Sequence, residues 1–390
     1  MNNNKYIIKS LAPWMIDELI AFSQISNFEL IFLRQQNDFY KDGLKQLESN
    51  GVKIYVKPFA FNSIIKKTVV LLKFLIHNLL KFRIDYNGVI GLKSMIWFLR
   101  LDLKKFSPNS NIHAQFATQS ALISYLIKKY YNNQPQYSFT FHAHDIYFSN
   151  KWFNLLVDNC YKAFSISEYN ISYVVKKFLD SDKIILSRLG VFRNEFVKNN
   201  RNNKAKSNTL KLGLISWFVE KKGIIYLLQA MLNLKEQGYS DIKLILAGDG
   251  PLREDFLEFI HKNSLTQSID YIGKIKGQQK IDFFNDIDIF VLPSISLEND
   301  KDGIPVVLME AIAASLPIIS TDVSGIPEIC YDDYNGLLVE QKNDAKLVEA
   351  ISHVKNNEHK RQQYAENSFV LSKEYDIILN SKSKLKALNW

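Results

Sequence analysis

The sequence predicts an α/β protein with two doubly wound, Rossmann-like domains whose sheets are mostly parallel. The chain has 390 residues, more than one hydrophobic core usually holds. Short apolar runs alternate with helical patterns in both halves, as in βαβ units. A polar stretch rich in Asn and Lys, at about 192–210, separates the halves. We therefore expect a first domain over 1–195, a linker over 196–209, a second domain over 210–375, and a C-terminal helix over 376–390 that packs back on the first domain.

The individual strands are predicted from apolar runs bounded by polar or turn-forming residues. In the first half these runs are "KYIIK", "FELIFL", "VKIYV", "NIHAQF", "YSFTF", "AFSIS" and "KIILS". In the second half they are "LKLGLIS", "IKLILAG", "SIDYIG", "IDIFVLP" and "LPIIST". The helix between the first two of these ends at Gly238, a C-cap signal. Open α/β sheets bind ligands at the carboxyl ends of their strands, so two such domains in tandem predict a binding cleft between them.

Composition limits the partners and the compartment. The net charge of +9 favours an anionic partner such as a nucleotide phosphate or an acidic membrane surface. A basic face with interleaved aromatic residues is missing, which argues against nucleic acid. Cys160 and Cys330 are far apart and in no ligand spacing, so buried thiols in a reducing compartment are expected. The N-terminus lacks a signal-peptide core, and the longest apolar tract, 68–80, is interrupted by Lys73 and too short to span a bilayer. We expect a cytoplasmic protein.

Two acids lie eight residues apart in the stretch "DGIPVVLMEA", which begins at Asp302. Gly303 permits a close backbone approach, and the fixed φ of Pro305 suits the first turn of the helix that follows. The free N–H groups at the start of that helix form an anion site. Glu310 falls about 1.5 turns into an apolar helix, where an acid is unfavourable without partners, and a sugar diol supplies two donors. The alternative is a helix N-terminal acid and a solvated glutamate.

This stretch resembles the donor-site signature of the retaining, nucleotide-sugar-dependent GT-B glycosyltransferases of family 4. The form "DGIPVVLMEA" is similar to the branch that builds bacterial exopolysaccharide, capsule and lipopolysaccharide. The resemblance implies the GT-B fold, with two Rossmann-like domains facing across a cleft. It also implies that Glu310 binds the ribose hydroxyls, and that Asp302 and the turn of Gly303, Ile304 and Pro305 meet the donor sugar and diphosphate.

Asp302 stands where the family usually has Glu, and its reach is one methylene shorter. Glu298 or Asp300 is then either a compensating acid or part of a solvated loop. Two further segments of the second domain are similar to donor-site segments. The turn "GDGPL" with Gly248 and Gly250 implies a place near the nucleotide. The segment "IDYIGKI" implies that the backbone of residues 273–274, Gly273 and Lys274, reads the base.

A leaving nucleoside diphosphate needs positive charge. The family pattern supplies an Arg and a Lys, and in the stretch "ISWFVEKKGI" Lys222 matches the Lys while Trp217 stands in place of the Arg. Lysines at a helix start are disfavoured by the helix dipole unless an anion is present, which favours a functional Lys222 over a plain surface lysine. Candidates for the missing cation are Lys221, Arg188, Arg193 and Arg253.

In the first domain, the loop of "SFTFHAHDIYF" contains three candidate side chains. His142 matches the family histidine that approaches the donor sugar, and His144 and Asp145 are second choices, for the acceptor. Satisfied loop histidines are an alternative, and a metal pair would want a third ligand, which is not evident. The strand "NIHAQF" resembles another cleft-facing segment, with His113 and Gln115 as acceptor candidates.

Two other segments have open interpretations. Residues 63–83 are apolar with interspersed basic residues, and periodicity does not distinguish a core helix from a membrane-surface helix. Ser167 in "SISEYN" matches a family serine and also suits a plain helix cap. The stretch "SLAPWMIDE" lacks the glycines of the family's N-terminal loop, so acceptor contacts are not transferred to it.

The resemblance implies transfer of a sugar, with retention, from a UDP- or GDP-sugar to a hydroxyl of a glycan or polyprenyl-linked glycan. No metal or other cofactor is expected, and "DID" at 286–288 reads as strand entry rather than a metal motif. An anionic membrane surface is a further expected partner, which would place the protein on the inner face of the cell membrane. Two alternatives are a nucleotide-sugar epimerase of the same fold and a degraded transferase that only binds or scaffolds, which Trp217 favours.

Overall fold

The computed structural model describes residues 4–60, 62–79, 86–147, 150–178, 181–197, 209–298 and 300–390. The chain forms two compact units. The first comprises Met1–Leu189 together with Ile377–Trp390, and the second comprises Gly190–Asp376.

The first unit has a seven-stranded sheet in which every described strand pair is parallel, with the order β3-β2-β1-β4-β5-β6-β7. Its strands are β1 (Asn4–Ile8), β2 (Glu29–Phe32), β3 (Lys53–Val56), β4 (Asn111–Gln115), β5 (Gln136–Phe141), β6 (Ala163–Ser165) and β7 (Ile184–Leu186). Its helices are α1 (Pro13–Ser23), α2 (Lys41–Ser49), α3 (Ile64–Asn78), α4 (Tyr86–Arg100), α5 (Gln119–Tyr130), α6 (Ala143–Tyr147), α7 (Phe153–Asn159), α8 (Glu168–Lys177) and the last helix of the chain, α16 (Ile377–Leu388).

The second unit has a six-stranded parallel sheet with the order β10-β9-β8-β11-β12-β13. Its strands are β8 (Leu210–Trp217), β9 (Ile242–Asp249), β10 (Ile269–Gly273), β11 (Ile289–Leu292), β12 (Ile318–Thr321) and β13 (Gly336–Val339). Its helices are α9 (Arg193–Phe196), α10 (Ile224–Glu236), α11 (Arg253–Lys262), α12 (Gln278–Asp286), α13 (Val306–Ala313), α14 (Asp344–Asn356) and α15 (Glu358–Leu371).

The predicted class, two doubly wound parallel sheets, is confirmed. Each sheet reverses its strand order once, between β1 and β4 in the first unit and between β8 and β11 in the second. Such switch points open a crevice at the carboxyl ends of the strands, and they position the candidate residues described below. The short strand β13 was not predicted, because its four residues follow the polar run 331–335 and read as part of a loop.

The chain crosses into the second unit earlier than residue 196. The Val191 amide donates to the Tyr375 carbonyl, and the Arg193 guanidinium donates to the Ser372 hydroxyl at 2.6 Å. Phe196 packs edge-on against Phe284. These contacts assign α9 to the second unit, and most of the predicted linker, 198–208, lies outside the described residues. The last helix, α16, belongs to the first unit and packs on α1.

Helix α3 has a buried face and an exposed apolar face. One face is buried and includes Lys67, Leu71 and Phe74. The opposite face exposes an apolar row at helical spacing: Ile65, Val69, Leu72, Ile76 and, in the turn that follows, Leu79. The end of the predicted segment, 80–83, lies outside the described residues.

Candidate functional site

The loop that follows β8 carries the two candidate lysines to the switch point of the second sheet. It ends at Gly223, whose φ of 63° is left-handed, and a Cβ there would lie 1.9 Å from the carbonyl oxygen of Pro293. The Ile295 amide donates to the Lys221 carbonyl at 2.8 Å. A glycine is therefore required to hold this loop against the residues that follow β11.

An ion-pair cluster joins the ends of β8 and β11. Lys222 Nζ lies 2.7 Å from Asp302 Oδ2, and Lys221 Nζ lies 3.6 Å from Asp302 Oδ1 and 2.8 Å from Asp300 Oδ1. The Ser294 hydroxyl donates to Asp302 Oδ2 at 3.2 Å. Burial alone would raise the pKa of Asp302, but the two lysines outweigh it and the pKa is lowered. The four charges cancel within the cluster.

Glu310 occupies the body of α13, the apolar helix predicted after the glycine-proline turn. Pro305 is its N-cap residue rather than a residue of its first turn. The Glu310 side chain is buried, and its Oε1 forms an ion pair with Lys280 of α12. Oε2 is buried with no hydrogen-bond partner among the described residues. Burial raises the pKa of Glu310, Lys280 opposes the rise, and Glu195 adds to it.

The turn between the two acids is packed from one side. The Ser324 hydroxyl donates to the Asp302 carbonyl oxygen. Gly325 approaches so closely that a Cβ there would lie 2.9 Å from a side-chain carbon of Ile304 and 3.3 Å from the backbone of Gly303. The loop after β12 therefore fixes the backbone from which the predicted donor amides project.

The glycines of "GDGPL" have a structural role. A Cβ on Gly248 would lie 2.0 Å from the Ser216 carbonyl oxygen, and one on Gly250 would lie 2.6 Å from the Phe218 backbone. Both have positive φ, 136° and 153°. Their close packing against the end of β8 explains both glycines without a ligand. Trp217, between the two contact points, is 54% exposed.

The remaining donor candidates lie away from the lysines in the sheet order. Gly273, with a φ of 71°, ends β10, an edge strand, and Lys274 follows it. Of the three candidate arginines, Arg253 pairs with Glu254, and Arg193 stacks 4.2 Å from the ring of Phe369.

The third arginine, Arg188, belongs to the first unit and pairs with Glu168 at 3.1 Å. Glu298 is exposed. Lys221 is therefore the candidate cation that lies beside Lys222 and Asp302.

In the first unit, the predicted sugar-contacting histidine lies at the end of β5. Gln115 Nε2 and His142 Nε2 are 2.8 Å apart. The ring also packs at 4.7 Å from Trp14 and 4.9 Å from Phe116, between ring centroids. Burial, followed by the nearby charge of Lys384, lowers the pKa of His142 to about 3, so the ring is neutral at physiological pH.

The acceptor candidates have different surroundings. His113 is completely buried, with Nε2 3.0 Å from the Thr140 hydroxyl, and this burial leaves no surface for an acceptor. Asp145 is also buried, and its Oδ2 accepts from the His142 amide at 2.9 Å. Burial raises the pKa of Asp145 to about 7. His144 is exposed on α6, and Ser167 caps α8 by accepting from the Asn170 amide at 3.1 Å.

Sequence reasoning missed four residues of these clusters: Lys280, Tyr6, Glu18 and Lys384. Lys280 sits in an ordinary amphipathic pattern that contains no motif. Glu18 and Lys384 are buried, and their side chains form an ion pair at 2.7 Å. An acid within the apolar stretch of α1 was the available signal, but nothing local to it identifies a partner near the other end of the chain.

Neither a metal cluster nor a membrane span is found in the described part of the chain. It contains no group of three or more His, Cys, Asp or Glu side chains placed to hold a metal ion. Within the same residues, no helix has the length and apolar character needed to cross a bilayer. Cys160 and Cys330 are both buried free thiols, as predicted.

The two sheets, with their separate switch points, define the GT-B fold. Over the full length of both chains, the structure is similar to that of HepE from Anabaena, solved in complex with UDP, with a TM-score of 0.73 and 13% identity. Residues 196–370 match the family model described as "Glycosyl transferases group 1". The matched residues all lie within the second unit, which is similar in sequence to group 1 glycosyltransferase domains.

Two curated relatives extend the comparison. The chain is 35% identical over 168 residues to the putative colanic acid biosynthesis glycosyltransferase WcaL of Escherichia coli K12. That match covers 43% of this chain and 40% of WcaL. It is 26% identical over 288 residues to the putative teichuronic acid biosynthesis glycosyltransferase TuaC of Bacillus subtilis 168, with 70% of this chain and 68% of TuaC covered.

Proposed function

We propose that the protein is a retaining glycosyltransferase. It moves a sugar from a UDP- or GDP-sugar to a hydroxyl of a glycan or lipid-linked glycan in cell-surface polysaccharide synthesis. The observation that carries the proposal is Glu310, a buried glutamate with one unpartnered oxygen, in the helix that follows the Lys222–Asp302 pair of a group 1 domain. The names of WcaL and TuaC support the polysaccharide class, and the UDP in the HepE structure supports the donor class.

Each charged group has a role that its surroundings suit. Lys222 meets the diphosphate, whose negative charge grows as the sugar leaves. The amides of Gly303 and Ile304, at the start of α13, add the positive end of the helix dipole. Asp302 accepts from hydroxyls of the sugar. Glu310 Oε2 accepts from a ribose hydroxyl, a bond that would satisfy its buried lone pairs.

The remaining assignments rest on the resemblance. His142 is assigned to the transferred sugar, Gly273 and Lys274 to the base, and the turn at Gly248 to the nucleotide. In the reaction, the bond between the anomeric carbon and the diphosphate oxygen breaks, and its electron pair stays on the phosphate. The acceptor hydroxyl forms the new bond on the same face of the sugar. Its proton passes to the leaving phosphate, so no protein nucleophile is needed.

Thermal unfolding against a panel of nucleotide sugars tests the donor class. A ligand at ~100 times its dissociation constant stabilises the folded state by roughly 2.7 kcal/mol. We expect UDP- or GDP-sugars to raise Tm in the wild type, and Glu310→Gln to reduce that rise. A panel in which no nucleotide sugar changes Tm would contradict the proposal.

We further propose that transfer needs no divalent metal at the phosphates. Lys222 and the start of α13 supply positive potential where other enzymes use an ion. Turnover measured in excess chelator should equal turnover in magnesium. Complete loss in chelator, with recovery on adding magnesium or manganese, would overturn this point.

The apolar row of α3 suits a membrane surface, where a lipid-linked acceptor would be found. Ile65 and Ile76 are 81% and 73% exposed, and Lys73 is exposed within the same row. Helix α4, which contacts α3, also exposes apolar residues, Val89 and Leu92 among them. An amphipathic face with adjacent lysines binds the interface of anionic bilayers.

Pelleting with vesicles of phosphatidylglycerol tests this surface. Binding should weaken with salt, because the Debye length falls from ~10 Å at 0.1 M to ~3 Å at 1 M. Ile65→Glu with Ile76→Glu should abolish pelleting, and Val370→Glu, an exposed apolar site of the second unit, is the matched control. Equal binding to neutral vesicles at high salt would rule out the electrostatic component.

The second candidate function is a nucleotide-sugar-binding protein without transferase activity. Trp217 favours it, because the indole cannot neutralise phosphate, and Lys222 is already paired with Asp302. Tm shifts with nucleotide sugars, combined with neither transfer nor hydrolysis in the presence of a glycan panel, would select this candidate over the transferase.

A further inference from the structure

A buried chain of polar contacts in the first unit runs from the last helix to His142. Lys384 Nζ lies 2.7 Å from Glu18 Oε1, and the Tyr6 hydroxyl lies 3.3 Å from Glu18 Oε2. The same hydroxyl lies 2.7 Å from Gln115 Oε1, and Gln115 Nε2 lies 2.8 Å from His142 Nε2. All five side chains are buried. The contacts therefore connect a lysine of α16 with the candidate histidine through three intermediate groups.

Hydrogen bonds along this chain of polar contacts can run in two directions, because the Tyr6 hydroxyl has one proton and two possible acceptors. In the first direction, Tyr6 donates to Gln115 Oε1, so the amide Nε2 faces His142 and donates to it. His142 Nε2 is then an acceptor, and the proton of the neutral ring lies on Nδ1.

In the second direction, Tyr6 donates to the Glu18 carboxylate. The Gln115 amide is then turned over, so that its Nε2 donates to the Tyr6 oxygen and its Oε1 accepts from His142. That contact requires the ring proton on Nε2. The neutral imidazole thus has a different tautomer in each direction, with no change in the positions of the heavy atoms beyond the amide flip.

We propose that Lys384 is a positioning residue that selects the first direction and so fixes the tautomer of His142. A buried carboxylate without a cation would accept the hydrogen bond of the Tyr6 hydroxyl, because hydrogen bonds to a charged acceptor are stronger than those to a neutral amide. The Lys384 ammonium satisfies Glu18 instead. The distances agree with this assignment, since Tyr6 lies closer to Gln115 than to Glu18.

The consequence for catalysis rests on the proposed function. With Nδ1 protonated, His142 offers a donor at its second nitrogen, as contact with a sugar oxygen requires. The tautomer of His142 does not depend on transferase activity, so the tautomer and the role of His142 in transfer can be tested separately.

Nitrogen-15 NMR of histidine-labelled protein at neutral pH distinguishes the two tautomers of His142, with His142→Gln identifying its signals. We expect Nδ1–H in the wild type and Nε2–H in Lys384→Met. The double variant Lys384→Met with Glu18→Leu removes both charges, so Tyr6 should again donate to Gln115 and restore Nδ1–H. Lys382→Met, an exposed lysine of α16, is the matched control and should leave the wild-type tautomer.

An unchanged tautomer in folded Lys384→Met would overturn the proposal. If that variant does not fold, Tyr6→Phe decides instead. It removes the hydroxyl that sets the direction of hydrogen bonding, and both tautomers should then appear. Pure Nδ1–H in Tyr6→Phe would show that the chain of polar contacts does not control the tautomer.

Once a sugar donor is identified, Lys384→Met should lower kcat about tenfold, the scale of one hydrogen bond, with the KM for that donor unchanged. A change of tautomer in Lys384→Met, in a protein without any transferase activity, would support control of the tautomer by Lys384 and reject the proposed function.

Discussion

The two acids on either side of the start of α13 have opposite surroundings. Asp302, in the turn, is held by two lysines and a serine hydroxyl, and its pKa is lowered. Glu310, in the helix, has one lysine and an unpartnered oxygen, and its pKa is raised. The first acid is already satisfied by the protein, so under the proposed function a diphosphate would have to compete with it for Lys222. The second retains hydrogen-bonding capacity that a ligand can fill.

Of the substitutions that test this comparison, removal of Lys222 should change turnover most. Lys222→Ala should lower kcat by about a hundredfold to a thousandfold, the range for loss of one preorganised electrostatic group. Binding of the nucleoside diphosphate should fall far less, because the charge that Lys222 meets grows as the bond breaks.

Steady-state kinetics and calorimetry with the donor identified by thermal shift measure the two quantities. Lys211→Ala is the matched control, since Lys211 pairs with Asp286 at a more exposed site of the same unit. Equal losses in binding and turnover for Lys222→Ala would show that the lysine only binds.

Asp302→Asn should destabilise the fold at neutral pH by about 3–5 kcal/mol, the range for removing one partner of a buried ion pair, because Lys222 would lose its carboxylate while Lys221 would keep Asp300. The folded-state pKa of Asp302 is lowered, so its contribution is present above its ordinary value of 3.8 and is lost as pH falls through the lower folded value. Tm of the wild type and Asp302→Asn, measured against pH, should therefore converge in acid. A constant difference would mean that the aspartate stabilises by packing rather than by charge.

Glu310→Gln should change stability at neutral pH in the opposite direction from Asp302→Asn. The folded-state pKa of Glu310 is raised, so its favourable contribution is present below 4.5 and is lost as pH rises through the folded value. The variant should have a Tm equal to or above that of the wild type at neutral pH, with the difference disappearing in acid.

Ligand binding should separate the proposed contact of Glu310 with ribose from the effect of Glu310 on stability. A hydrogen bond to a charged group contributes about 1.5–3 kcal/mol, so Glu310→Gln should weaken binding of the nucleoside diphosphate about tenfold to a hundredfold. The 2′,3′-dideoxy analogue should bind both proteins equally. If the analogue also discriminates between the proteins, Glu310 does not contact the ribose diol.

Trp217→Arg should have the smallest effect. The indole is half-exposed, and exposed substitutions usually change stability within about 0.5 kcal/mol. Turnover should be equal or higher, since a guanidinium near the lysines adds positive charge. Lower turnover would show that Trp217 stacks on the donor or holds another group in place.

The sequence predicted the strands correctly, and it placed the charged residues that directly follow strands at the sheet switch point. All twelve predicted strands are present, since each is an apolar run with polar boundaries. Lys222 and Asp302 meet because each follows a strand beside the switch point, a rule that requires only the order of the strands. His113 shows the limit of such reasoning, because position in a cleft-facing segment does not reveal which side of the strand faces the core.

Partners that lie far apart in sequence were beyond prediction. Lys280 reaches Glu310 from a helix with no distinguishing motif, and Lys384 reaches Glu18 from near the end of the chain. Both pairings depend on how helices pack, which periodicity does not determine. The glycines at 248 and 250 were predicted for a ligand, and their close approach to β8 depends on backbone positions that a sequence pattern does not specify.

The return of α16 to the first unit has a consequence for biosynthesis. The first unit is assembled from both ends of the chain, since Lys384 pairs with Glu18, and the Trp390 ring stacks 6.4 Å from Phe28. At about 5–20 residues per second, a ribosome needs roughly 10–40 seconds to make the second unit between them. During that interval the nascent first unit lacks its last helix, and the acid of α1 lacks its cation. We therefore expect the first unit to remain chaperone-accessible until α16 emerges.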